Sequence, residues 1–134
     1  MAQNPFVGTW RLVSSQRKNA DGQISYTWGQ DAVGYIMYNE DGYMSVAIMS
    51  ANHPKLASED IEAGRPPTHM SYCGRYEVQG DTVIHHVEVS SRPDRVGVDL
   101  KRVFEFDGHR LSLSPPPVLV DGIQQAGRII WERV

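Results

Sequence analysis

Three side chains carry the chemistry that this sequence suggests: His85, Tyr76 and Arg102. If Gly80-Asp81 is a two-residue turn, Val78 lies opposite Val83, Tyr76 opposite His85, Gly74 opposite Val87 and Tyr72 opposite Val89. That side of the hairpin is apolar apart from His85 and two phenols, and we assign it to the interior. The other side holds Cys73, Arg75, Glu77, Ile84, His86 and Glu88. An imidazole in an apolar interior can act as a general base and a phenol as an acid. A guanidinium can stabilise an oxyanion or enolate. Such a set, catalytic only if the protein is an enzyme, would suit isomerisation, cyclisation or proton transfer on a hydrophobic substrate. The same residues also fit a role without chemistry, in which His85 and Tyr76 satisfy each other and Arg102 pairs with a buried acid.

Other constellations are weaker. His86 and Glu88 share a face, but Arg75 opposite His86 would repel a cation, so no metal site is expected there and a surface network of Arg75, His86 and Glu88 is. His85 and His86 point to opposite faces and cannot chelate together. His53 and His69 fall in an irregular stretch, and the sequence assigns them no role. No phosphate loop, dinucleotide fingerprint or nucleophile elbow is present, and nothing calls for a cofactor.

The elements that must hold these residues are short strands. Asn19-Ala20-Asp21-Gly22, Glu40-Asp41-Gly42, Gly80-Asp81, Asp107-Gly108 and Asp121-Gly122 read as turns, because Asp and Gly accept the positive φ of tight hairpins. Between them lie β-rich runs over 7–18, 23–28, 33–38, 43–50, 72–78, 82–90, 98–106, 110–114 and 127–134. Pro115-Pro116-Pro117 ends a strand and starts an extended crossing. A turn at Asp107-Gly108 pairs Phe104 with Leu111 and Arg102 with Leu113 on the apolar side, with Phe106, and sets Glu105 against Arg110 outside. A type I turn with a glycine bulge at Glu40-Asp41-Gly42 pairs Asn39 with Tyr43 and groups Ile36, Tyr38, Met44, Val46 and Ile48 inward. The opposite side (Tyr35, Met37, Tyr43, Ala47, Met49) is also apolar, which suggests cover from the 51–70 segment or from a second copy of the chain. Residues 51–70 break the hairpin rhythm with Pro54, Pro66 and Pro67. They read as a short helical or irregular lid in which Ser58 could cap a turn containing Glu59 and Asp60.

The 134 residues suit one domain over 1–134. Hydrophobic residues make up 40% and charged residues 22%, which argues against disorder. The net charge of −3 and the lack of a basic stripe exclude nucleic acid as an expected partner. No apolar run is long enough for a membrane helix. The start shows neither a basic n-region nor an apolar h-region, so no signal peptide is expected. With Cys73 as the single cysteine, a cytoplasmic setting is expected.

Several blocks together resemble the small lipocalin-like domain family of bacteria and fungi. They are Val7-Gly8-Thr9-Trp10-Arg11-Leu12-Val13-Ser14, Val33-Gly34-Tyr35-Ile36-Met37-Tyr38, Asp41-Gly42-Tyr43-Met44-Ser45-Val46, Gly74-Arg75-Tyr76-Glu77-Val78, His85-His86-Val87-Glu88-Val89-Ser90, Arg102-Val103-Phe104-Glu105-Phe106-Asp107-Gly108 and Trp131-Glu132-Arg133. The resemblance implies an all-β fold, an antiparallel up-and-down lipocalin-like β-barrel with a cavity. It implies no catalytic motif. It also implies that Trp10 closes the barrel floor, with Arg128 or Arg133 packed on it through a cation–π contact. The expected function is binding of a small hydrophobic molecule, with Tyr38, Ile36, Met44, Val46, Tyr72, Tyr76, His85, Val87, Arg102 and Phe104 as lining residues. A cofactor-free isomerase or cyclase using His85, Tyr76 and Arg102 is the alternative, and a filled structural barrel acting as a homodimer is the third.

Overall fold

A computed structural model describes residues 4–18, 21–26, 28–51, 69–115, 118–120 and 123–134. Their strands are β1 (Gly8–Lys18), β2 (Ile24–Tyr26), β3 (Val33–Tyr38), β4 (Tyr43–Met49), β5 (His69–Gln79), β6 (Thr82–Ser90), β7 (Asp99–Asp107), β8 (Arg110–Ser114), β9 (Val118–Val120) and β10 (Ile123–Arg133). A single 3-10 turn, Pro93–Arg95, lies between β6 and β7. All pairings are antiparallel. The order β1-β3-β4-β5-β6-β7-β8-β10 returns to β1 through the pairs from Trp10–Arg133 to Lys18–Ala126, so eight strands close into a barrel. Closure leaves no free sheet edge around the ring. β2 and β9 stand outside it. β2 pairs with Gln16–Lys18 of β1 and β9 with Ile123–Gln125 of β10, so the long ends of β1 and β10 carry these two short strands past the body of the barrel.

The two ends of the barrel differ. The tight turns β3–β4, β5–β6 and β7–β8 gather at the end where Gly8 pairs with Tyr38. Gly42, Gly80 and Gly108 supply the left-handed φ values (+90°, +60° and +60°) that these turns require. Backbone bonds from Tyr76 N to Gly42 O, Phe104 N to Asp81 O and Arg133 N to His109 O tie each turn to its neighbour. β4 ends and β5 begins at the opposite end, where the 91–98 connection between β6 and β7 also lies.

Alternation makes the core. On β3 and β4 the inward residues Ile36, Tyr38, Met44, Val46 and Ile48 are buried, while Tyr35, Met37, Tyr43 and Met49 are exposed. Each buried large apolar side chain contributes about 1.5–3 kcal/mol to stability. The floor is sealed by the segment ahead of β1. Phe6 is buried and meets Tyr38, Phe104 and Phe106 edge-on, with ring centres 4.8–5.0 Å apart. The Trp10 indole N–H donates to the Phe6 carbonyl at 2.9 Å. Arg133, not Arg128, caps Trp10: its guanidinium lies 4.2 Å from the ring and donates to the carbonyls of Val7 and Pro5.

Several expectations need correction. Tyr72 lies opposite Ser90, not Val89, because Glu88 is an extra residue in β6 next to the Cys73–Gly74 step. The bulge turns Val89 outward, where it is 62% exposed. Gly74 is required there, since a Cβ would collide with the His86 carbonyl. The β7–β8 turn is Gly108-His109, so Phe104 pairs with Leu113 and Phe106 with Leu111. That slip is an even number of residues, so the inward face is unchanged. It sets Ser112 opposite Glu105, and the expected Glu105–Arg110 pair does not form. His69 and Met70, expected in the irregular segment, belong to β5 and pair with Met49 and Ile48. The short helix expected around Ser58 falls in 52–68, outside the described residues. β9 pairs with the first part of β10, which lengthens the expected last strand, and the turn expected at Asp121-Gly122 lies outside the described residues.

Candidate functional site

His85 reaches the interior from β6, and its burial follows from the Gly80-Asp81 turn. The side chain is 1% exposed. Its Nε2 lies 2.7 Å from the Tyr38 hydroxyl of β3, and its Nδ1 lies 2.7 Å from the Tyr72 hydroxyl of β5. Both phenols are themselves buried. Removal from water, then the positive charges of Arg102 and His86, push the imidazole down to about 3. Burial raises both phenols, Tyr38 well above the usual tyrosine value, while Arg102 opposes the rise at each. All three groups are therefore neutral near pH 7. A neutral imidazole has one N–H and one bare nitrogen. One phenol oxygen accepts from the N–H, and the other phenol donates to the bare nitrogen. The accepting phenol keeps its own hydrogen, and no hydrogen bond from it to a described residue uses that hydrogen. The cluster thus offers one spare O–H donor inside an apolar shell.

Tyr76 does not partner His85. Their backbones pair, but the Tyr76 ring leans to the floor, with its centre 4.8 Å from Tyr38 and 6.4 Å from Phe6. Its hydroxyl donates to the Asn39 carbonyl and accepts from the Asn4 amide, both at 2.9 Å. Those bonds occupy the phenol in tying the N-terminal segment to the β3–β4 turn. Alternation gives a side chain's face, not the direction its ring takes, so Tyr38 and Tyr72 reach His85 instead.

Arg102 faces inward between Leu100 and Phe104 on β7 and is half-buried. Val83 pairs with Arg102 and His85 with Leu100, so Arg102 and His85 are diagonal neighbours on the inner wall. One N–H of Arg102 donates to the Lys101 carbonyl at 3.0 Å. Among the described residues it has no carboxylate partner, against the expectation of a buried acid. Burial lowers its pKa, and so does the positive charge of Arg95. Arg95, half-buried on the 3-10 turn, also acts on Tyr72. Reading the sequence by strand alternation misses Arg95 because it belongs to no strand. It misses Asn4 and Phe6 for the same reason.

The remaining expected lining residues divide. Ile36, Met44, Val46 and Val87 are buried and inward. Phe104 is drawn to the floor by Phe6 and Phe106. Outside, the expected network of Arg75, His86 and Glu88 is partitioned differently. His86 bonds Asp99 at 2.7 Å and Glu77 at 2.8 Å. Arg75 turns its side chain to the Tyr43 hydroxyl and ring, while the Glu88 carboxylate accepts from the Arg75 backbone N–H. Among the described residues no three His, Cys, Asp or Glu side chains converge as metal ligands, and no helix is long and apolar enough to cross a membrane.

Comparison with known proteins agrees with this architecture. A lipocalin-like protein from Bacteroides uniformis superposes with a TM-score of 0.55 at 13% identity, covering 98% of this chain and all of that one. An uncharacterized protein from Bacteroides eggerthii gives a TM-score of 0.50 at 9% identity, covering 96% and 99%. At such identities the likeness concerns the fold alone. A 4'-hydroxy-3'-methoxypropiophenone carrier protein from Aspergillus oryzae is 28% identical over 107 residues, which span 68% of this chain and 96% of that protein. Residues 7–134 match the profile of the lipocalin-like domain over its β-barrel, and the chain belongs to that family.

Proposed function

We propose that the barrel binds a small hydrophobic molecule, with its apolar body among Ile36, Met44, Val46 and Val87 and its polar end at the His85–Tyr38–Tyr72 cluster. The observation that carries this reading is the cluster itself: a buried neutral imidazole held on both nitrogens by phenols, with one O–H left to donate. Such a donor in an apolar shell orients a guest, while the buried area supplies affinity at about 25 cal/mol per Å². The A. oryzae relative, named for carrying an aryl ketone, supports the same assignment. We also propose a reducing, cytoplasmic setting, to which Cys73, the single cysteine, is suited.

The isomerase or cyclase reading draws less support. An imidazole at about 3 is a weak base at neutral pH, and neither nitrogen is free to meet a substrate proton. The homodimer reading rests on the exposed strip of Tyr35, Met37, Tyr43 and Met49.

Fluorescence titration with 4'-hydroxy-3'-methoxypropiophenone tests the proposal. Saturable one-to-one binding is expected. Tyr72→Phe should weaken it several-fold, the scale of one lost hydrogen bond, and His85→Gln should leave binding measurable. Absence of binding, or equal affinity in all three proteins, would contradict it.

A further inference from the structure

Among the described residues, Arg102 and Trp131 leave N–H donors unspent on the inner side of the wall. Arg102 uses one of its five N–H groups on the Lys101 carbonyl. Arg95 shares its electrostatic neighbourhood at Tyr72, and among the described residues neither guanidinium has a carboxylate partner. The Tyr38–His85–Tyr72 chain leaves one phenol hydrogen over. The buried Trp131 indole N–H also finds no acceptor among the described residues. The four described ion pairs all lie on exposed or partly exposed side chains. A guanidinium on the inner wall, set diagonally from His85 and flanked by Leu100, Phe104 and buried Val83, has given up part of its water without receiving an anion from any described residue.

A guanidinium on this wall repels a cationic guest and offers N–H donors. It complements a group that only accepts and carries negative charge. We infer that the guest is an amphipathic carboxylic acid whose carboxylate is held by Arg102, with Arg95 reinforcing and the free phenol hydrogen of the His85 cluster completing the contact. This deepens the binding function proposed above and rests on it. Guanidinium and carboxylate match in geometry, and a partly dry wall strengthens the pair relative to water. The acid supplies a counter-charge that no described residue gives Arg102.

Matched probes separate this inference from the binding reading beneath it. 2-Naphthylacetate and 2-naphthylacetamide share shape and fluorescence and differ in charge at pH 7.5. Calorimetric titration of the wild-type protein should favour the acid by roughly tenfold or more, as expected for a charge-assisted contact. In Arg102→Gln that preference should fall to about twofold or less. Arg95→Gln, a change outside the barrel strands, should reduce the preference partially, so the inference stays testable if Arg102→Gln folds poorly. Equal affinity of acid and amide for the wild type, or an acid preference that survives both substitutions, would overturn the carboxylate while leaving the binding function standing. Failure of both probes to bind would overturn both.

Discussion

Acid should destabilise this barrel through one residue more than any other. His85 is neutral and held at about 3 in the folded state, while an unfolded histidine titrates near 6.5. Between those values the unfolded chain binds a proton that the folded chain refuses, so stability falls as pH falls through that window and is unaffected by His85 above it. Each pH unit is worth about 1.4 kcal/mol per proton. The difference accumulates to about 2 kcal/mol at pH 5 and about 3 kcal/mol at pH 4, against a total stability on the order of 5–15 kcal/mol. Carboxylates also titrate in this range, so wild type must be compared with His85→Gln, which keeps a donor and an acceptor but takes up no proton. Urea unfolding at pH 7, 6, 5 and 4 gives the two stability curves. The variant should start lower by about 1–3 kcal/mol because the phenol bonds are disturbed, and then lose stability less steeply below pH 6.5. Parallel curves, or an imidazole seen by NMR to titrate above pH 5 in the folded protein, would refute the burial and bonding assigned to His85.

Further outcomes follow from the floor, the bulge and the surface. Arg133→Ala removes the cation over Trp10 and two carbonyl bonds, and should cost about 2–3 kcal/mol in urea unfolding with a changed tryptophan emission. Gly74→Ala drives a methyl into the His86 carbonyl at the bulge, and should lower stability by about 1–3 kcal/mol or more by thermal unfolding. His86 behaves oppositely to His85. Asp99 and then Glu77 raise its pKa, so its contribution is complete below about pH 6.5 and lost as pH rises through the raised folded value. Because the pair is exposed, His86→Gln should change stability by less than about 1 kcal/mol and flatten that alkaline decline, as read from denaturation at pH 6 and 8.5.

Much of the wall was legible because turns and alternation determine it. Asp41-Gly42 and Gly80-Asp81 set the registers that bring Tyr38 and His85 inward. Arg102 keeps its inward face even though the neighbouring turn sits at Gly108-His109, since a slip by an even number of residues preserves parity. Glu88 was not legible: an inserted residue breaks alternation without a compositional mark on its own strand, and Val89 was assigned to the wrong side for that reason. Tyr76 was matched to His85 because cross-strand pairing brings backbones together, whereas the hydroxyl follows its strongest partners, here Asn39 and Asn4. The contacts between Tyr38 on β3, Tyr72 on β5 and His85 on β6 span strands that local sequence patterns do not relate. Phe6 and Arg95 lie outside the strands, where periodicity gives no signal.

A crystal structure of the protein with 2-naphthylacetate tests the central claim most directly. The expected result is a naphthyl ring inside the strand ring against Met44, Val46 and Val87, with its carboxylate within hydrogen-bond distance of Arg102 and of the Tyr38 or Tyr72 hydroxyl. A probe seated only on the outer β3–β4 strip, or an interior closed by side chains with no probe in it, would contradict the claim.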